Sequence, residues 1–341
     1  MLTSIFVAAL AIAPQTENVI FLFTDGLRWQ EVFTGSDASL GKVPDQFQGE
    51  TAEKRRAALM PYVWSVIAKQ GQLYGNREKG STSRVLNPHK FSYPGYSETM
   101  QGFYDPVIAS NDPVPNPNAT VFEWLAKKPA FKGRVAGFAN WWVVSAIFNK
   151  DRCGFYTQCG PEPISFSSDA AAQLYNRLIV STDRNFAPDP DDSFTHEAAM
   201  MYLKVKKPRV MAVLYGETDS WAHSGDYAKY LDSANRFDRW VREYWDALQA
   251  TPQYKNKTTL IITTDHGRGD GKAWTSHGAS VASAEFTWIM VIGPDTPALG
   301  ERENVATVTN GQVATTIAEL LGENYRAAQP KAARALKDAI R

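Results

Sequence analysis

Asp25 ends an apolar run in FLFTDGLR, and Asp219 and His223 stand four apart in GETDSWAH. Asp265 and His266 are adjacent in TTDHG, and His277 follows in WTSHG. Carboxylate oxygen with imidazole nitrogen is a donor set suited to zinc and tolerant of manganese or iron. The spacing has a mechanical sense. Residues four apart share one face of a helical turn, and loop geometry at a strand end can aim two adjacent side chains inward. A lone Asp at a strand end is more often a helix cap than a ligand, and a lone His is more often structural. The combination carries more weight, because the chain has only five histidines and three fall in this set. His196, in a helix start, reads as structural. His89, three residues before the candidate nucleophile, is open.

That nucleophile is Ser92, in FSYPGYSETMQG. A helix is expected to start at Pro94, where proline is tolerated. Backbone N–H groups and the positive helix end would then face an anion held at Ser92. A serine hydroxyl is a poor nucleophile near neutral pH, and metal coordination activates it. Ser92 is therefore expected as the catalytic residue and as a further metal ligand. Its bland alternative is a helix N-cap.

Strands must deliver these residues. Five nearly continuous apolar runs, 18–24, 134–140, 209–216, 258–264 and 286–293, read as strands covered on both faces. Helical spacing marks 52–70 (which Pro61 should kink or split), 121–126, 170–180, 193–205, 227–250 and 312–321. The alternation predicts an α/β fold with a mainly parallel sheet between helix layers. In such sheets ligands bind beyond the carboxyl ends of the strands, which is where Asp25, Asp219 and Asp265 fall. Residues 34–49, 105–118 and 186–192 read as loops, none of them a domain linker. A single domain over 14–341 is expected.

Bulk properties narrow the partners. The 341 residues carry 36 Lys plus Arg and 36 Asp plus Glu, so net charge favours neither nucleic acid nor an anionic membrane. Residues 1–13 form a short apolar stretch with signal-peptidase-like sites, too short to span a bilayer, and predict export to the periplasm or medium. No basic residue precedes it. Cys153 and Cys159 would pair in an oxidising compartment and stay free otherwise. Asn118-Ala-Thr and Asn256-Lys-Thr are glycosylation sequons, relevant only to a eukaryotic secretory route. No stretch has transmembrane length and apolarity, and oligomeric state is not legible.

The motifs together resemble the alkaline phosphatase superfamily, and within it the type I phosphodiesterase/nucleotide pyrophosphatase proteins. The matches run in family order from Asp25 to Gly278. They are the Asp after the first strand, Ser92-Tyr93-Pro94 with Gly102 ten residues on, Asp219-x-x-x-His223, Asp265-His266-Gly267, and His277-Gly278. The resemblance implies a three-layer α/β/α fold and a two-metal hydrolase of small phosphate esters, with zinc favoured. Asp25, Asp265 and His266 would hold the metal that activates Ser92. Asp219, His223 and His277 would hold the one that serves the leaving group and water. A phosphoserine intermediate follows, with a diester slightly favoured over a monoester. Two departures stand out. Gly95 replaces an Asn that the resemblance implies as a phosphoryl contact, for which Asn140, Lys90 or Arg28 could substitute, and Trp141 is a further substrate candidate. The short gap from His266 to His277 is similar to that of phosphoglycerate mutases, whose additional transferase domain this chain is too short to hold. A sulfatase-like hydrolase is disfavoured by the missing Arg after Ser92-Tyr-Pro. A metal-binding module without catalysis is the alternative of another class.

Overall fold

A computed structural model describes residues 15–341. The predicted leader lies outside the described residues. Eight strands form the main sheet: β1 (Asn18–Thr24), β2 (Gln72–Tyr74), β3 (Val135–Ala139), β4 (Tyr156–Cys159), β5 (Val210–Tyr215), β6 (Thr258–Thr263), β7 (Ile289–Ile292) and β8 (Gly300–Glu301). Their order is β8-β2-β7-β6-β1-β5-β3-β4. Only β7 runs antiparallel to the rest.

The central strand shows why the runs are unbroken. Ile20 and Leu22 point into one apolar core, and Val19, Phe21 and Phe23 into the other. All five are fully buried. Helices cover the first face, chiefly α6 (Asp192–Lys206) and α8 (Tyr227–Ala250), which buries Tyr230, Leu231, Phe237, Val241 and Leu248. The second face is covered by α3 (Ser92–Gln101), α4 (Val121–Ala126) and α9 (Gln312–Leu320). The predicted α/β/α sandwich is the observed fold.

One expectation changes, the break expected at Pro61 is met, and the cysteines take the free one of their two alternatives. The segment 286–293 splits. Phe286–Thr287 joins a small second sheet, and buried Trp288 separates it from β7, donating its indole N–H to the Leu27 carbonyl (2.8 Å). The helix over 52–70 breaks after α2 (Ala52–Leu59). Pro61 has no N–H to continue it, and the Asp238 carboxylate caps the Tyr62 and Val63 N–H groups at 2.9 and 2.8 Å. Cys153 and Cys159 are free rather than bonded. Cys153 instead contacts the Lys150 and Phe155 carbonyls, while Cys159 points into the second core.

Candidate active site

The carboxyl ends of β1, β5 and β6 lie side by side, so the residues that follow them meet. β1 delivers Asp25. β5 runs through Gly216 into α7 (Glu217–His223), a single helical stretch that puts Asp219 and His223 on one face. β6 ends in Asp265-His266. His277 returns to this edge after a short loop. The six predicted ligands form two triads, Asp25/Asp265/His266 and Asp219/His223/His277, each with donor atoms within 4.8 Å of one another.

The first triad is buried. His266 Nε2 lies 3.3 Å from Asp25 Oδ1 and 3.1 Å from Asp265 Oδ2. These three atoms are buried without any hydrogen-bond partner, while the rest of each group is held from outside. Tyr96 Oη donates to Asp25 Oδ2 (2.9 Å), Gly26 N–H donates to Asp265 Oδ1 (3.0 Å), and His266 Nδ1 meets the Gly267 carbonyl (2.8 Å). A carbonyl only accepts, so Nδ1 carries a proton and Nε2 is the ring atom left facing the two carboxylates. Burial and the Asp25 charge push the Asp265 carboxyl well above the usual range. Burial lowers His266, but Asp265 and Asp25 outweigh it and raise the ring to about 9, so without a cation Nε2 keeps a proton that a bound metal would displace. Buried polar atoms without a hydrogen-bond partner are rare and costly. Three that converge on one point fit a divalent cation.

The second triad is more open, with the His223 side chain half exposed. His223 Nε2 is 3.2 Å from Asp219 Oδ2 and 2.9 Å from His277 Nε2. His277 Nδ1 faces the Lys90 carbonyl at 3.2 Å, and the ring stacks on His266 with centroids 4.0 Å apart. Burial and neighbouring His266 lower His277 to about 2, so it stays a neutral donor. Burial opposes ionisation of Asp219, but the Arg268 guanidinium holds its carboxyl well below the ordinary range. This donor set also fits a divalent cation.

Ser92 sits on a face of α3 that is pressed against the first triad. Ser92, Gly95 and Tyr96 are spaced i, i+3 and i+4, so they line one side of the helix. Tyr96 reaches Asp25. Gly95 lies so close to Asp265 that a Cβ there would stand 2.6 Å from its carbonyl oxygen. No Asn fits at position 95, which is a backbone reason for the departure from the family pattern. The helix begins at Ser92, two residues before the expected Pro94. Of its first N–H groups, Tyr93's is taken by Asn111 Oδ1 (2.9 Å), Pro94 has none, and Gly95's bonds the Phe91 carbonyl. The Ser92 N–H is left without a protein partner among the described residues.

The substrate candidates divide. Asn140 ends β3 with its amide against Gly216, and its Oδ1 is buried and unpaired. Lys90 precedes Ser92 by two residues at φ +52°, its carbonyl taken by His277 and by the Gly278 N–H. Trp141 sets its ring edge-on to Tyr96, centroids 5.9 Å apart. Arg28 is a correction. Its side chain is buried, grips Glu31 with two donors and donates to the Gly269 carbonyl, so it is spent on structure. Arg152 is likewise held by Glu123. Trp221 faces away from Asp219 on α7 and packs on Phe186. His196 is structural as expected, between Tyr215 and Glu243, and His89 packs beside Phe91 and Tyr104.

Sequence reasoning missed Tyr96 as a partner of Asp25, and Asn111 at the helix start. The i+4 spacing from Ser92 was the available signal for Tyr96. Asn111 lies in the 105–118 loop, and nothing in its local pattern marks it.

A family model described as type I phosphodiesterase / nucleotide pyrophosphatase matches residues 30–284, which hold Ser92 and every predicted ligand except Asp25. No curated protein matches the chain. Among solved structures, the fold is similar to that of wild type alkaline phosphatase PafA (10% identity, 98% of this chain and 100% of that one, TM-score 0.63). It is also similar to the lipoteichoic acid synthase LtaP from Listeria monocytogenes (9%, 92% and 73%, 0.60). A third is the phosphonate monoester hydrolase SpPMH from Silicibacter pomeroyi (13%, 94% and 76%, 0.58).

Proposed function

We propose, for a chain that belongs to the type I phosphodiesterase / nucleotide pyrophosphatase family and is a hydrolase of the alkaline phosphatase superfamily, that it cleaves small phosphodiesters through a phosphoserine on Ser92. The observation that carries this is the convergence of three buried polar atoms without a hydrogen-bond partner, from two carboxylates and an imidazole, beneath the helix that bears Ser92. The two triads would hold divalent cations, zinc being best matched to the donors, with manganese or iron tolerated. When bound, these supply positive charge that favours the ionised Ser92 hydroxyl and offsets charge on the phosphoryl and leaving oxygens.

The protein's own groups then have defined tasks. Ser92 Oγ forms a bond to phosphorus as the ester bond opposite it breaks and the alcohol departs. Water next attacks phosphorus, the Ser92–phosphorus bond breaks, and the hydroxyl regains its proton. The Ser92 N–H faces the phosphoryl oxygens, with the Asn111 amide beside it and Asn140 at the same sheet edge. Tyr96 keeps Asp25 oriented.

Charge favours the diester. A monoester dianion carries one more negative charge than a diester. Arg28, Arg152 and Arg268 are paired with Glu31, Glu123 and Asp219 respectively. Of the two basic substrate candidates, Arg28 and Lys90, that leaves Lys90 to answer the added charge. We therefore expect kcat/KM for bis-p-nitrophenyl phosphate to exceed that for p-nitrophenyl phosphate by about tenfold, a difference of about 1.4 kcal/mol in barrier. A higher value for the monoester would overturn the substrate assignment and leave the site assignment standing. On the leader-like residues 1–13 we also place the enzyme outside the cytoplasm.

A further inference from the structure

We propose that Arg268 is a positioning residue that assembles the Asp219/His223/His277 site. This rests on the metal-site reading above and goes beyond it. Arg268 follows His266-Gly267 and is 1% exposed. Its guanidinium makes three contacts with separate tasks. Nε donates to the Trp274 carbonyl at 2.8 Å, Nη2 donates to the Thr275 carbonyl at 2.6 Å, and Nη1 donates to Asp219 Oδ1. The first two carbonyls lie three and two residues before His277. One side chain therefore fixes the loop that delivers His277 and, with its other arm, the carboxylate that shares the site with it.

The loop has other ties: Asp270 accepts from Gln30 Nε2 (2.8 Å) and Ser283 Oγ (2.6 Å), and the Gly278 N–H donates to the Lys90 carbonyl (2.9 Å). Gly269 N–H donates to the Ser276 carbonyl (2.9 Å), Ala273 N–H to Asp270 (3.1 Å) and Ser276 N–H to Ala273 (2.9 Å). Trp274 packs on Tyr227 and Tyr230. Arg28 Nη1 braces the loop from below at the Gly269 carbonyl (3.1 Å). A buried guanidinium is stable only when its donors are paired and its charge is matched, and here both conditions are met by groups of this one site. Arg268 also sets the electrostatic difference between the triads. Asp219 shares its charge with the Arg268 guanidinium, whereas Asp25 and Asp265 have no Lys or Arg ion-pair partner among the described residues. The Asp219 site is thus the weaker of the two, and depends on geometry more than on charge.

Arginine's planar fork is what the geometry uses. Lysine keeps the charge but presents all its donors from one atom and cannot span two carbonyls and a carboxylate. The test uses the full chain, stripped of metal and reloaded with Zn2+ or Co2+. Metal per chain is read by mass spectrometry, and Co2+ absorption distinguishes the two sites. The wild type is expected to hold two ions and Asp219→Asn one. Arg268→Lys is expected to bind one ion as the wild type does and the other at least tenfold more weakly. Wild-type affinity at both sites in Arg268→Lys would overturn the proposal. A wild type that never holds two ions, or an Asp219→Asn variant that still does, would overturn the metal reading itself and this proposal with it. A second measurement needs no variant. In the metal-free wild type, hydrogen exchange at Gly269, Ala273 and Ser276 should already be slow. Fast exchange there, slowed only by metal, would mean that the ion and not Arg268 orders the loop, and would also overturn the proposal.

Discussion

Replacing Ser92 with alanine is expected to lower kcat/KM toward a phosphodiester by about a thousandfold or more, the scale seen when a covalent nucleophile is removed, while metal content stays at the wild-type level. The separation of the two effects follows from the structure. The six Asp and His ligands come from strand ends, α7 and the 269–277 loop, whereas Ser92 belongs to a separate element, the first turn of α3. Alanine is a good helix former, and Tyr96, Gly95 and their contacts with Asp25 and Asp265 do not depend on the hydroxyl. The measurement is steady-state kinetics beside metal analysis on the same preparation. Activity within about tenfold of the wild type would mean that water attacks the ester directly and that no phosphoserine forms. Loss of both activity and metal would mean that Ser92 serves the site as a ligand more than as a nucleophile.

Stripping the metals is expected to abolish turnover and to lower the melting temperature by roughly 10 °C, both reversed by adding the ion back. The reasoning is linkage. A ligand that binds only the folded state at a thousand times its Kd adds about 4 kcal/mol of stability, and in a chain of this size each kcal/mol moves Tm by about 2–4 °C. The local chemistry gives the same direction. Without a cation, Asp25 Oδ1, Asp265 Oδ2 and His266 Nε2 are buried without a hydrogen-bond partner, and burial beside Asp25 disfavours ionisation of Asp265. Calorimetry with and without chelator measures the shift. A Tm unchanged by chelation, in protein shown to have lost its metal, would mean that the triads contribute nothing through a bound ion.

Much of this was legible in the sequence because it is local or periodic. Asn18–Thr24 and Tyr227–Ala250 are found at their expected bounds, the first as an unbroken apolar run and the second by its helical spacing. The ligand triads were legible because Asp25, Asp219, Asp265 and His266 lie within a few residues of strand ends that the sheet sets side by side, His223 is one helical turn beyond Asp219, and His277 follows on the loop after His266. The rest depends on contacts distant in sequence. Trp288 divides the 286–293 run because its indole finds the Leu27 carbonyl, and no pattern within the run reports that partner. Arg28 resembles a substrate ligand on sequence alone, since a position just after Asp25 is close to the site. Its partner Glu31 and the Gly269 carbonyl take it out of play. Gly95 looked like a missing substrate contact and is instead where α3 meets the Asp265 backbone.

The most direct measurement is anomalous diffraction from crystals of the wild-type chain loaded with zinc, recorded on both sides of the zinc edge. Two peaks are predicted beside Ser92, one bounded by Asp25, Asp265 and His266, the other by Asp219, His223 and His277. A single peak, or density placed away from these six side chains, would contradict the two-metal site.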